Sequence, residues 1–112
     1  MAFQDITGIK IAQDALTTSF DTYYTTPDDT RTYVKDITAA NTTAGALNLF
    51  VCLVPSGASA GTTNALIYTK EVAANDIYQW TGLQIIEAGG TLQAKGSGTG
   101  LTLNVSGANA VE

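Results

Sequence analysis

The most informative absence in this sequence is histidine, of which its 112 residues contain none. Without an imidazole the chain has no Ser-His-Asp triad, no Cys-His nucleophile pair and no histidine-based metal site. The single cysteine, Cys52, cannot form an intrachain disulfide, and no histidine is present to activate it as a nucleophile. We therefore expect no cofactor and no histidine-based catalytic or metal site, and we expect Cys52 to be a small buried apolar residue.

Charge is also scarce. Charged residues make up 13% of the chain, against about a quarter in an ordinary soluble domain. The net charge is −5, and the five basic residues are scattered along the sequence. An acidic chain without a basic cluster is not expected to bind nucleic acid. The polar surface must instead be made by Thr, Ser, Asn and Gln, which suits packing against other protein.

Long apolar segments are missing as well. No run approaches the length of a membrane span, and no basic segment precedes an apolar one near the N-terminus. We therefore expect no membrane partner, no Sec signal and synthesis in the cytoplasm. The length suits a single domain over residues 1–112. Residues 1–8 and 107–112 show no periodic pattern. We expect residues 1–8 to form either an N-terminal arm or a first edge strand, and residues 107–112 to form a C-terminal tail.

The longest apolar run that is present is Ala46–Pro55, ALNLFVCLVP. Side chains alternate faces along a strand, and here both faces are apolar, with only Asn48 polar. The pattern predicts a central strand buried on both sides. The second face would be covered either by another subunit or by this chain itself, and the latter, with Phe50 as a core residue, is favoured. A helix is rejected because the run is short and ends at Pro55-Ser56-Gly57.

The other strands are predicted from alternation and from enrichment in Thr, Ile, Val and Tyr, over residues 9–13, 16–25, 31–40, 64–70, 76–81, 91–95 and 101–106. Turn signals separate them, among them Thr26-Pro27-Asp28-Asp29 and Glu87-Ala88-Gly89-Gly90. Roughly seven to nine short strands at this spacing indicate an all-β, antiparallel β-sandwich, either jelly-roll or immunoglobulin-like.

Two groups of residues are candidates for contact with a ligand or partner. One is aromatic and consists of Tyr68, Tyr78 and Trp80, which would either form a platform for sugar or fill the core and a subunit seam. The other is the small-residue loop 55–63, with Ser56, Gly57, Ser59 and Gly61 as the expected partner-contact positions. A calcium site at Asp28 and Asp29 matches no calcium-loop spacing, and a solvated turn is favoured there.

The run from Leu16 to Gly107 resembles a family of small virion proteins of tailed bacteriophages. The residues that carry the resemblance are Tyr24-Thr25-Thr26-Pro27, Tyr33-Val34-Lys35-Asp36-Ile37-Thr38, Asn41-Thr42, Leu53-Val54-Pro55-Ser56-Gly57, Ala73-Ala74-Asn75, Ala88-Gly89-Gly90-Thr91-Leu92-Gln93-Ala94 and Val105-Ser106-Gly107. The chain departs from the family pattern at Pro27-Asp28-Asp29, where a Pro-Ala-Gly turn is usual. These motifs are signatures of strands and turns rather than of chemistry.

The resemblance implies a non-enzymatic β-sandwich on the virion, either a capsid decoration protein (head auxiliary or cement) or a head-fibre base. It would be made in the host bacterial cytoplasm and would bind the major capsid protein or other virion proteins. We expect a homo-oligomer, with a trimer favoured. The alternative is a carbohydrate- or receptor-binding module of a tail fibre or baseplate, in which aromatic residues around Trp80 would stack on sugar.

Overall fold

The chain folds into two four-stranded antiparallel sheets packed face to face, in a computed structural model that describes residues 5–111. The strands are β1 (Asp5–Ala15), β2 (Asp21–Thr25), β3 (Thr30–Asn41), β4 (Leu47–Val54), β5 (Ala65–Val72), β6 (Ile77–Ile86), β7 (Thr91–Gly96) and β8 (Leu101–Val111). A short 3₁₀ helix spans Thr62–Asn64. None of the helical structure in residues 5–111 has the length and apolar character of a membrane span.

The strand order is that of a long hairpin rolled up on itself. Strand β4 pairs with β5, β3 with β6, β2 with β7 and β1 with β8. Rolling this hairpin adds the pairs β3–β8 and β4–β7, which gives sheet A (β1-β8-β3-β6) and sheet B (β2-β7-β4-β5). This is the jelly-roll form of the expected β-sandwich, since an immunoglobulin-like sandwich has a different strand order.

The core lies between the two sheets and is made by the inward face of each strand. In β3 the alternation is clear: Val34, Ile37 and Ala39 are fully buried, whereas the residues between them are exposed or half-buried. The pattern slips by one residue at Lys35, where the pairing of β3 with both neighbours changes register. The other fully buried apolar core residues, from both sheets, are Leu49, Val51, Leu92, Ala94, Leu101 and Leu103.

The segment Leu16–Phe20 is not a strand, although alternation predicts one over 16–25. Leu16 is buried and its amide donates to the carbonyl of Leu101, after which the chain crosses from sheet A to sheet B. Thr17 Oγ1 donates to Asp21 Oδ2 at 2.7 Å and accepts from the Ser19 amide at 3.3 Å. Such local bonds from Thr and Asp side chains compete with a sheet ladder, and β2 begins only at Asp21.

Strand β6 is longer than predicted. The expected strand ends at Thr81, but pairing with β3 continues through Gly82 to Ile86. Glycine weakens a strand interior without excluding it. Here the twelve-residue β3 provides the pairing partner on both sides of Gly82.

The expected terminal arms are largely part of the sheet. Residues 5–8 continue β1, and residues 107–111 continue β8, with Asp5 paired to Val111 and Gly8 to Ala108. Residues 5–8 thus follow the edge-strand alternative, whereas the expectation of a C-terminal tail is corrected for residues 107–111. Main-chain pairing between two strands requires no side-chain pattern. The remainder of the expected arm, residues 1–4, and residue 112 lie outside the described residues.

Asn41 joins the end of β3 to the loop that follows and to β5. Its side chain is 2% exposed. Nδ2 donates to the carbonyls of Gly45 (2.8 Å) and Val72 (3.0 Å), while Oδ1 accepts from the Thr43 amide (2.9 Å) and Thr43 Oγ1 (2.7 Å). Both amide protons and both oxygen lone pairs are therefore used.

Candidate functional site

The outer face of sheet B carries aromatic side chains arranged around one lysine, named here the outer aromatic cluster: Phe20, Phe50, Tyr68 and Lys95. The Phe50 ring meets Phe20 edge to face with centroids 6.4 Å apart, and it meets Tyr68 edge to face at 4.9 Å. Lys95 Nζ lies 4.8 Å from the centroids of both phenylalanine rings. These are favourable aromatic and cation–π geometries, on a surface where Tyr68 is 48% exposed.

The cluster follows from the pairing of β4 with β7. Phe50 and Lys95 are direct partners across these strands, so their side chains lie on the same face. The flanking residues Leu49 and Val51 point into the sandwich and are fully buried. The expectation that β4 lies inside its sheet is confirmed. Phe50, however, is half-buried on the outer face rather than in the core, because the inner face is already filled by its neighbours.

A bulge in β5 brings Tyr68 over Phe50. Val51 pairs with Ile67 whereas Leu49 pairs with Lys70, which leaves one extra residue in β5 opposite Phe50. Thr69 occupies this bulge with a φ of 56°. A β-branched residue rarely adopts this left-handed conformation, so the position stores backbone strain next to an exposed aromatic side chain.

The loop after β4 covers Cys52, another outward residue of that strand. Cys52 is fully buried, and its Sγ donates to the Gly61 carbonyl at 3.5 Å. Asn64 holds the loop in place, since its Oδ1 accepts from the Gly61 amide (3.1 Å) and its Nδ2 donates to the Ser59 carbonyl (3.0 Å). Burial raises the pKa of the Cys52 thiol, which disfavours the reactive thiolate.

The positions expected to contact a partner lie in the first half of this loop. Ser56, Gly57 and Ser59 are exposed, and Gly57 has a φ of 81°, a turn conformation that glycine adopts without strain. Gly61 is half-buried over Cys52. Three of the four positions are therefore available at the surface, whereas Gly61 belongs to the part of the loop that covers Cys52 on β4.

The three aromatic residues singled out in the sequence do not form one platform. Tyr68 lies on the outer face of sheet B, whereas Tyr78 and Trp80 point inward from β6 and pack against the core. Lys70 Nζ lies 5.1 Å from the Tyr78 ring centroid, which links the edges of the two sheets. Any surface built on Tyr68 thus uses Phe20 and Phe50 as its neighbours.

A cleft of about 220 Å³ opens where the loop after β4 meets the loop after β6. Its walls come from the two chain segments that border it, residues 53–56 and 85–88, together with Gly90. Arg31 Nε lies 3.4 Å from Glu87 Oε1 beside this region, a weak and solvent-exposed ion pair. Within residues 5–111 no three acidic or cysteine side chains gather where they would hold a metal ion.

Sequence reasoning missed Phe20, Phe50 and Lys95 as surface residues. Phe20 belongs to the half of the predicted strand 16–25 that does not form, and Phe50 was assigned to the core because β4 is apolar on both faces. A signal was nevertheless present: the inward positions of β4 already supply four large apolar residues, so a bulky aromatic side chain on the other face needs a cover of its own.

No family model matches the chain, and no curated protein matches it in sequence. Solved structures match it in fold. A chain in a structure of infectious bursal disease virus strain Gx superposes with a TM-score of 0.56 at 15% identity, over 96% of this chain and 31% of the viral one. A chain in the crystal structure of the T13 viral particle of the same virus gives 0.56 at 12% identity, over 96% and 30%.

A third match, to strain Gt of that virus, has a TM-score of 0.52 at 11% identity and covers 32% of the viral chain. The present chain thus spans about a third of the length of these viral chains. At such low identity the likeness shows a shared fold and does not by itself carry function across.

Proposed function

We propose that this chain is a non-enzymatic structural protein of a virion, positioned on the exterior of a bacteriophage capsid as a decoration protein or head-fibre base. The observation that carries the proposal is the jelly-roll topology, matched over 96% of the chain by proteins whose structures are those of a virus and its particle. The bacteriophage origin depends on the strand and turn motifs described for the sequence. The absence of histidine and the low charge favour a binding role over a chemical one.

The outer aromatic cluster is the surface that we assign to contact with the major capsid protein. Tyr and Phe side chains are enriched at the buried centres of protein interfaces, and Tyr68 presents half of its surface to solvent. Lys95 is held by the two phenylalanine rings, which places one positive charge at the centre of a surface that otherwise has few. A carboxylate on the capsid would meet it there without displacing the rings.

The test is co-sedimentation of the purified protein with particles of the source virus that lack it, combined with quantitative mass spectrometry of complete particles. We expect many copies of the chain per particle and saturable binding. Tyr68→Asp should weaken this binding by about tenfold or more, since it places a charge at the centre of the interface. Ile6→Asp is the matched control, because Ile6 is 69% exposed on sheet A and should leave particle binding unchanged.

Absence of the chain from purified particles, together with no co-sedimentation, would refute the virion role. A second candidate function, binding of a host glycan by a tail-fibre or baseplate module, is favoured by the exposure of the Tyr68 ring. It predicts that the protein sediments with host-cell polysaccharide instead of with capsids. The edge-to-face packing of Phe50 and Tyr68 argues against it, since a sugar stacks on an open ring face.

A further inference from the structure

Strand β6 differs from the other three edge strands of the sandwich. An edge strand exposes unpaired main-chain groups, and proteins usually protect such strands with charged residues or proline. Strand β1 (DITGIKIAQDA) carries three charged residues, β2 (DTYYT) one and β5 (ALIYTKEV) two. Strand β6 (IYQWTGLQII) carries no charged residue and no proline over ten positions. Charged residues and proline are therefore missing at this one edge, where the only irregularity in the pairing with β3 lies between Thr81 and Gln84.

The exposed side of the same strand is apolar. Ile77 is 59% exposed, Leu83 54% and Ile85 44%, which makes three of the six most exposed large apolar side chains among residues 5–111. They alternate with Tyr78, Trp80 and Ile86, which point into the sandwich. All five residues from Thr81 to Ile85 are exposed, so this part of β6 projects with neither face covered.

We propose that β6 pairs edge to edge with β6 of a second copy of this chain, antiparallel and related by a two-fold axis at Thr81. This arrangement joins two copies of sheet A into one continuous eight-stranded sheet. Around that axis Ile77 of each copy lies beside Ile85 of the other, and Gln79 lies beside Leu83. The outward residues remain on a common face because the register keeps odd-numbered positions together.

A second copy is favoured as the occupant of this edge by the absence of charge along β6 and by the self-complementarity of its sequence. Each chain has a net charge of −5, so two copies repel one another at long range. Antiparallel self-pairing at β5 or β1 would bring charged side chains of two acidic chains together, whereas the β6 seam contains none. The sequence also places isoleucine at both ends of the seam, so that a two-fold pair matches apolar with apolar.

The seam is expected to be weak. It uses nine residues of each copy, Ile77–Ile85, whereas a stable protein interface uses about 20–30 residues a side. Pairing should therefore depend on concentration and should gain strength where copies are held side by side. The inference does not depend on the proposed virion role, and a trimer, as expected from the family resemblance, would need a separate surface.

The test is sedimentation velocity of the purified protein between about 10 μM and about 1 mM, the range in which weak pairs associate. The wild type should shift from monomer to dimer with rising concentration. Ile77→Lys and Ile85→Asp should each weaken the dimer by about tenfold, because each places a charge against isoleucine on both sides of the axis. An equal mixture of the two variants should restore association, since lysine then faces aspartate at one end and isoleucine faces isoleucine at the other.

Ile6→Lys is the matched control, as it places the same charge on the opposite edge of the same sheet and should not change association. A wild type that stays monomeric to about 1 mM would overturn the proposal. So would equal weakening by Ile6→Lys, or a mixture that fails to associate. If a variant loses its β-sheet signal, amide hydrogen exchange of the wild type tests the pairing instead. The amides of β6 should exchange more slowly at higher protein concentration, whereas those of β1 should not change. Exchange of β6 that does not depend on concentration would refute the pairing.

Discussion

Asn41→Asp should destabilise this protein far more than its small change in shape suggests. The substitution replaces Nδ2, which donates to the carbonyls of Gly45 and Val72, by an oxygen that accepts hydrogen bonds only. The carbonyl oxygen of the buried residue Val72 then loses this donor and faces a negative charge. The Gly45 carbonyl is less affected, because Gly45 is exposed and Thr43 Oγ1 also donates to this carbonyl at 2.9 Å. The two bonds that Oδ1 accepts from Thr43 can remain, so the change isolates the donor side of the network.

The magnitude follows from the lost bond to Val72 and from the buried charge. A buried polar group left without its partner costs about 1–3 kcal/mol, and a desolvated charge adds to this cost, so the substitution should remove at least about 2 kcal/mol. The free energy of unfolding of a domain is only about 5–15 kcal/mol, so the loss is a large share of it. The difference in the free energy of unfolding between wild type and variant should become smaller as the pH falls, because a protonated carboxyl can again donate to one of the two carbonyls.

The assay is urea unfolding followed by the fluorescence of Trp80, for wild type and variant, at about pH 7 and about pH 4, near the ordinary titration of a carboxyl group. Asn75→Asp is the matched control, since Asn75 is exposed and its φ of 55° is one that aspartate tolerates. It should change the free energy of unfolding by less than about 0.5 kcal/mol. The reasoning would be refuted if Asn41→Asp lowered the free energy of unfolding no more than the control does, or if the decrease did not depend on pH.

Two further predictions concern sheet B. Cys52 should react with a thiol reagent at least about a hundredfold more slowly in the native protein than in urea, because the loop after β4 excludes solvent and burial raises the pKa of the thiol. If the native protein is labelled at nearly the rate of the unfolded protein, the loop does not cover Cys52. Thr69→Asn should raise the free energy of unfolding by about 0.5–1 kcal/mol, since asparagine tolerates the positive φ that β-branched side chains resist. Thr69→Val keeps the branching at Cβ and should not raise the free energy of unfolding in the same urea titration. Equal changes in the free energy of unfolding for the two variants would show that the backbone at Thr69 is not strained.

Local pattern was sufficient to predict most strands but not how they pair. Alternation located β3, β4, β7 and the first half of β8, because each has one face in a core that requires apolar side chains. The jelly-roll order was left open beside the immunoglobulin-like one. Its outermost pairing joins Asp5 to Val111, at opposite ends of the chain, and no local signal reports such a contact.

The errors have local physical causes. Alternation continues through Leu16–Phe20, yet Thr17 and Asp21 bond to nearby groups and turn the chain toward the other sheet. The two-sided apolar pattern of β4 was correct, but it did not reveal what covers the second face. The loop after β4 covers Cys52, and the rings of Phe20 and Tyr68 pack against Phe50. Both contacts depend on tertiary placement.

The pairing of β1 with β8 also determines how this domain can be connected to other polypeptides. Because Asp5 and Val111 are Cα partners on adjacent strands, the described chain enters and leaves the sandwich at neighbouring points on the same end. A polypeptide joined before Asp5 and another joined after Val111 would start side by side, as the two ends of an inserted module do. The loop between β4 and β5, at the tip of the rolled hairpin, is the position farthest from both junctions along that hairpin. The topology thus permits this domain to be carried within a longer chain while leaving its tip free for contact.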